Sequence, residues 1–173
     1  MFMEWNNTII IIDCGVMFPE EQTFGIDFII PDFSYLIKNK EKVRALIITH
    51  GHEDHIGAIP FLLEEMPLNI FATRFSTELI KSKLEGYPHR KQPITFTIID
   101  ETSTLSFDPV TIHFNRVRHS IVDGVAVIID TPLGKIIHTG DFKEDTEKIK
   151  GKKYPLSSFE NYITRHEKKL ILL

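Results

Sequence analysis

Three histidines and an aspartate able to ligate a metal, His50, His52, Asp54 and His55, fall within six residues directly after the apolar run Val43 to Thr49. An apolar, β-branched run of that length reads as a buried strand. The fold must therefore bury one side of this junction and present a polar loop on the other. Imidazole and carboxylate are natural donors for zinc and similar divalent ions. His50 and His52 are two residues apart, so in an extended segment both rings project to one side. Asp54 and His55 follow where the chain must turn, and can face a second ion. Two-metal hydrolytic sites hold their ions roughly 3.5–4 Å apart. Gly51 and Gly57 relieve crowding in a loop that presses its backbone toward metals.

A helical zinc site competes for the same residues. It needs a second His four positions after the first of a His-Glu pair, on one helical face. His52-Glu53 is followed at that position by Ile56, so the helical reading fails. A histidine-rich surface turn is the bland alternative, and the spacing H-x-H-x-D-H directly after a strand argues against it.

Short β-branched runs alternate with amphipathic stretches along the chain. Strands are expected at Thr8–Asp13, Val43–Thr49 and Asn69–Thr73, and helices at Gly57–Glu65 and Phe75–Glu85, the latter closed by Gly86 and Pro88. Pro60 sits in a first helical turn, where a missing N–H costs little. The second half turns β-rich, with strands expected at Ile94–Ile99, Val110–Arg118, Val125–Asp130 and Lys135–Thr139 and a tight turn at Thr131–Gly134. A last helix is expected over Ser157–His166, and Leu170–Leu173 reads as the start of a strand. Elements in this order suggest an α/β sandwich, with sheets inside and helices outside.

Four ligands cannot complete two metal sites. If Val110–Arg118, Val125–Asp130 and Lys135–Thr139 form a meander, the C-terminal ends of the first and third strands share one sheet edge. His119 follows the first, and Asp141, preceded by Gly140, follows the third. The assignment then gives one ion His50, His52 and His119 and the other Asp54 and His55, with Asp141 bridging. Asp54 and Asp141 are the carboxylates expected in catalytic roles. A water held between two such ions is acidified toward neutrality and becomes a nucleophile. Outside the ligand set, Asp13 is the candidate to anchor the His/Asp loop, and His138 packs or donates a supporting bond. His89, His113 and His166 carry no supporting context, Ser120 lacks a triad pattern, and Cys14 reads as a small buried residue.

At 173 residues the chain fits one domain, able to bury about two-thirds of its unfolded surface. No stretch approaches the ~20 apolar residues of a membrane span, and the N-terminus MFMEWNNT lacks the basic start and apolar core of a secretory signal. One cysteine excludes an internal disulfide and fits a reducing compartment, so a cytoplasmic location is expected. The net charge of −4 argues against holding nucleic acid by a global basic field. Basic clusters at Lys81–Lys83 with Arg90-Lys91, at Lys148–Lys153 and at Arg165–Lys169 leave local capture open.

THGHEDHIGAIPFLL (Thr49–Leu63) resembles the general motif of the metallo-β-lactamase superfamily. The segments Ile12–Leu36, His119–Gly134 and IIHTGDFK (Ile136–Lys143) are similar, within it, to the ribonuclease J group of β-CASP nucleases. The resemblance implies an α+β fold, the αββα sandwich, here as an incomplete N-terminal portion spanning 1–173. The β-CASP and C-terminal domains would then be absent from this chain, as would a Gly-rich strand ahead of Thr8. It further implies two divalent ions, zinc or in some members manganese, held by His50, His52, Asp54, His55, His119 and Asp141. RNA is the implied partner, hydrolysed at its phosphodiesters in endonucleolytic or 5′-to-3′ exonucleolytic mode, with no membrane association. A homo-oligomer would lack its usual contacts here. Two other readings compete: hydrolysis of a small ester or lactone by the same metal chemistry, and a metal-binding module inactive alone. Family members carry one more His ligand beyond Leu173, so this chain should bind metal more weakly on its Asp54/His55 side than on its three-histidine side. Zinc titration should therefore show two unequal steps, and two equally tight ions per chain would contradict the assignment.

Overall fold

A computed structural model describes residues 1–19, 24–88, 91–143, 159 and 169–173. The chain divides into two compact units, Met1–Ile98 and Ile99–Leu173. The first carries a five-stranded sheet ordered β1 (Phe2–Trp5), β2 (Thr8–Ile12), β3 (Val43–Ile47), β4 (Leu68–Ala72), β5 (Ile94–Ile98). Strand β1 runs antiparallel to β2, and β2 through β5 are mutually parallel. Its helices are α1 (Ser34–Lys38), α2 (Glu53–Ile56), α3 (Ile59–Glu65) and α4 (Arg74–Glu85).

Parallel strands are covered on both faces, which is why their sequences read as continuous aliphatic runs. Ile9, Ile10, Ile11 and Ile12 are all buried, and so are Ala45, Leu46 and Ile47 of β3. Ile9, Ile11 and Leu46 pack with Ile56, Ile59, Leu62 and Leu63 of α2 and α3 and with Ile80 and Leu84 of α4 in one apolar cluster. Each large aliphatic side chain so buried contributes about 1.5–3 kcal/mol.

Strand β1 and helix α1 are unmarked in the sequence. Strand β1 is joined to β2 by Asn6-Asn7, with Asn6 at φ 52°, a left-handed conformation that a short amide side chain tolerates. It is no Gly-rich strand, yet it occupies the edge position ahead of Thr8. Helix α1 is short and is tied to β1 through Glu4, whose carboxylate accepts from the Tyr35 hydroxyl and from Lys42 Nζ at 3.0 Å. Those two bonds, the tyrosine's first, hold the Glu4 carboxyl below its ordinary range.

The second unit carries a sheet ordered β10 (Lys169–Leu172), β9 (Gly134–His138), β8 (Val125–Thr131), β7 (Val110–Arg116), β6 (Thr104–Phe107). β6 through β9 form an antiparallel meander, and β10 joins β9 in parallel. In β7 the residues alternate, with Val110, Ile112 and Phe114 buried and Thr111, His113 and Asn115 half-buried. The tight turn expected at Thr131–Gly134 forms around the Thr131 hydroxyl, which receives the Gly134 N–H at 3.2 Å. Thr104–Phe107 had no sequence signal beyond its four residues, and pairing with β7 makes it a strand.

The mixed α/β class expected from the sequence is present, as two sheets with few helices. The helix expected over Ser157–His166 lies outside the described residues apart from Phe159. Also outside them are His89, Arg90, the basic run Lys148–Lys153 and the run from Arg165 except Lys169. No helix among the described residues is long and apolar enough to cross a membrane.

Leu46 is fully buried at the centre of the first sheet. Leu46→Ala should lower the unfolding free energy by about 2–5 kcal/mol, read by urea denaturation. A loss under about 1 kcal/mol would mean the site collapses around the smaller side chain, against the packing described.

Candidate metal centre

Parallel pairing of β2 with β3 sets Ile12 opposite Ile47, so the chain leaves both strands at the same level. Asp13 is the first residue beyond β2, and it adopts φ 58°, a left-handed conformation that a carboxylate residue tolerates better than most. The turn aims its carboxylate along the end of β3. Oδ1 accepts the Thr49 backbone N–H at 2.8 Å, and Oδ2 accepts the Thr49 hydroxyl at 2.8 Å and His55 Nδ1 at 2.8 Å. Both partners of the His55 contact are largely shielded from water.

These bonds select histidine tautomers. Because the Thr49 hydroxyl gives its proton to Asp13, it meets His50 Nδ1, 3.1 Å away, with a lone pair. His50 then carries its proton on Nδ1 and a lone pair on Nε2. His55 likewise donates from Nδ1, which leaves the lone pair on its Nε2, 3.6 Å from Asp54 Oδ2. His50 Nε2 lies 2.9 Å from His52 Nδ1, and the His50 and His55 rings are 4.0 Å apart between centroids. In each anchored ring Nδ1 is held by a protein partner, which places the lone pair on Nε2, the nitrogen able to ligate a metal. This is the arrangement a divalent ion requires.

Asp54 and His55 were expected in a turn, and they lie on α2, a single helical turn. A helix of four residues is not stable on its own. It is held by the segment after β2: Cys14 N–H donates to His55 O at 2.7 Å, Val16 N–H to Glu53 O at 3.2 Å, and Ala58 N–H to Cys14 O at 2.9 Å. That close approach needs Gly15, where a Cβ would stand 1.6 Å from Asp54 O. Gly57 is needed too, since a Cβ there would stand 2.5 Å from Glu53 O. At Gly51 the close neighbour is the tip of the Leu79 side chain, at 2.5 Å, with Ser76 at an ordinary 3.5 Å, so its constraint is the softest of the three. Cys14 is buried, and burial pushes its thiol up to about 12, which removes it as a nucleophile at neutral pH.

In the second unit, β7 and β9 both run antiparallel to β8, so their C-terminal ends share one edge. His119 follows β7 and Asp141 follows β9, and His119 Nε2 lies 3.5 Å from Asp141 Oδ2. Lys143 N–H donates to Arg118 O at 2.7 Å, which ties the two post-strand segments together. Gly140 turns the chain at φ 59°, a conformation that favours glycine, immediately before Asp141. His138 Nδ1 accepts the Gly140 N–H at 3.2 Å, so in this bond it is an acceptor rather than a donor. His113 belongs elsewhere: its ring spans Thr104 Oγ1, at 3.2 Å, and Asp130 Oδ2, at 3.5 Å, as a cross-strand contact.

The predicted residues thus fall in two groups. Asp13, His50, His52, Asp54 and His55 are gathered within the first unit, and His119 and Asp141 within the second, with His138 two residues before Gly140. The imidazole nitrogens of His50, His52, His55 and His119 and the carboxylate of Asp141 are compatible with divalent metal binding, and Asp54 falls in none of the metal-compatible groups among the described residues. Sequence reasoning missed the anchoring part of Thr49 and the need for Gly15. The hydroxyl directly ahead of the first histidine was a usable signal for Thr49. Nothing local marks Gly15, because its constraint comes from residues about forty positions away.

The chain belongs to the metallo-beta-lactamase superfamily, whose family model matches residues 2–172. Within that class it is similar to Ribonuclease J 1 of Streptococcus pyogenes serotype M3, at 46% identity over 83% of this chain and 25% of that protein. It is also similar to Ribonuclease J of Helicobacter pylori strain 26695, at 43% identity over 84% of this chain and 21% of that one. The chain therefore spans about a quarter of the length of the curated relatives it matches. Among solved structures, the isothiocyanate hydrolase from Delia radicum gut bacteria shares the fold, with TM-score 0.62 and 15% identity over 99% of this chain and 66% of that one.

Gly15→Ala should destabilise the protein by about 1–3 kcal/mol or more and weaken zinc binding, because α2 must move to admit the methyl group. Chemical denaturation and zinc titration check both. An unchanged midpoint with unchanged affinity would show that the Cys14–Val16 contact does not hold α2.

Proposed function

We propose that the chain carries the metal-binding part of a metal-dependent hydrolase of ribonuclease J type, acting on RNA phosphodiesters. The observation that carries this reading is the Asp13-anchored His50–His55 segment, in a chain 46% identical to Ribonuclease J 1 of S. pyogenes over most of its length. In this reading His50, His52 and His119 would hold one divalent ion and Asp54 and His55 a second, with Asp141 serving both. Zinc is the first choice, since imidazole and carboxylate suit it, and manganese the second. Two such ions would supply an activated water and stabilise charge on a phosphoryl oxygen.

The residues around the donors have their own parts. Asp13 and Thr49 fix the ring orientations and tautomers of His50 and His55 and raise their basicity as donors. His138 steadies the Gly140 turn that presents Asp141. RNA is the proposed partner, and with one buried cysteine a reducing, cytoplasmic setting is the proposed location.

A 5′-labelled RNA, a thioester and a lactone, each incubated with this chain and added zinc or manganese, test the reading. RNA cleavage that EDTA abolishes and that His50→Ala lowers at least about a hundredfold is the expected result. Turnover of the lactone or thioester alone would point to small-ester hydrolysis by the same metal chemistry. Tight metal binding with no turnover of any of the three would identify a binding module that does not catalyse by itself.

A further inference from the structure

The run His50–His55 holds one more ligand-type side chain, Glu53, which stands between His52 and Asp54 and has no place in the ligand set. A flexible carboxylate beside two donors is a competitor for any cation they hold, since it offers the same oxygen chemistry as Asp54. The structure shows where it goes. Lys83 Nζ lies 2.8 Å from Glu53 Oε2, and Lys83 is only one-fifth exposed although Glu53 is half exposed. Lys83 sits on the last turn of α4, a helix rooted in the core by Ile80 and Leu84, so its ammonium is offered from a fixed base. Gly57 makes the room, for a Cβ there would stand 3.0 Å from the same Glu53 oxygen. The neighbouring Lys81 turns instead to Glu78, at 2.8 Å along its own helix.

We propose that Lys83 is a positioning residue that holds the Glu53 carboxylate over Gly57 and so keeps it out of the ligand set, leaving Asp54 as the carboxylate presented from α2. The inference rests on the metal site proposed above. An ion pair with one partner half exposed adds little to folding stability, so its effect lies in which oxygen a cation meets.

Zinc binding to the 173-residue chain is measured by competition with a chromophoric chelator, with cobalt(II) absorption as a second readout of the ligand set and thermal unfolding in EDTA as a check on folding. Lys83→Met should tighten the weaker of the two binding steps on the order of tenfold, because the released Glu53 carboxylate joins the donors, and should alter the cobalt spectrum, while Lys83→Arg retains the parent behaviour. Glu53→Gln, which removes the extra carboxylate, should bind as the parent does and should return both the affinity and the spectrum of Lys83→Met to the parent's when the two are combined. A purely structural tether predicts instead that Lys83→Met and Glu53→Gln both bind more weakly and that the double variant is no better than either, and that result overturns the proposal. So does a Lys83→Met protein with parental affinity and spectrum. Should Lys83→Met not fold, Lys83→Gln reads the same comparison. A parent chain that binds no zinc would instead refute the metal site itself, and parental binding with insensitive variants would refute only the role of Lys83.

Discussion

The Asp13 carboxylate receives bonds from Thr49 and His55, partners 36 and 42 residues further along the chain, and the local order of the first unit follows from that convergence. A backbone N–H, a hydroxyl and an imidazole all donate to one side chain, so the carboxylate is satisfied while largely shielded from water. Bonds to a charged acceptor are roughly twice as strong as neutral ones. A buried carboxylate that lost its partners would cost several kilocalories per mole. The arrangement is therefore close to all-or-none, and it sets which nitrogen of His50 and of His55 carries the lone pair.

Parallel pairing makes this convergence possible. Because β2 and β3 run in the same direction, their C-terminal ends finish side by side, and Asp13 can reach across to Thr49. Open parallel sheets place their functional groups at the carboxyl ends of strands for this reason. The meander of the second unit reaches a comparable result by another route. There a strand of opposite direction, β8, separates β7 from β9, and His119 and Asp141 are left at a common edge. Glycine does different work in the two places. Gly15 and Gly57 allow backbone to touch backbone, whereas Gly140 supplies a turn conformation.

Family membership agrees with this organisation, and it limits how far similarity carries function. The superfamily model spans both units, and solved structures that share the fold at low identity carry differing activities in their names, a diphosphatase and an isothiocyanate hydrolase among them. Fold alone does not choose a substrate. The proposal of RNA rests on the ribonuclease J relatives, matched at 46% and 43% identity over most of this chain.

The donor types and their spacing were determined by the sequence alone, since His50, His52, Asp54 and His55 are adjacent and their pattern after an aliphatic run needs no tertiary knowledge. The strands carrying β-branched runs were legible for the same reason: Thr8–Ile12, Val43–Ile47 and Val110–Arg116 differ from expectation only at their ends. Elements stabilised by partners were not legible. β1 and β6 are four residues each and become strands by pairing, and α2 is one turn held by hydrogen bonds from Cys14 and Val16. Only the tertiary structure decided the histidine tautomers, the left-handed turn at Asp13, the need for Gly15 and the pairing of Glu53 with Lys83. Each depends on atoms brought together across roughly thirty or more residues. A local pattern can state which groups are present, but their orientation is set by neighbours that the chain supplies from elsewhere.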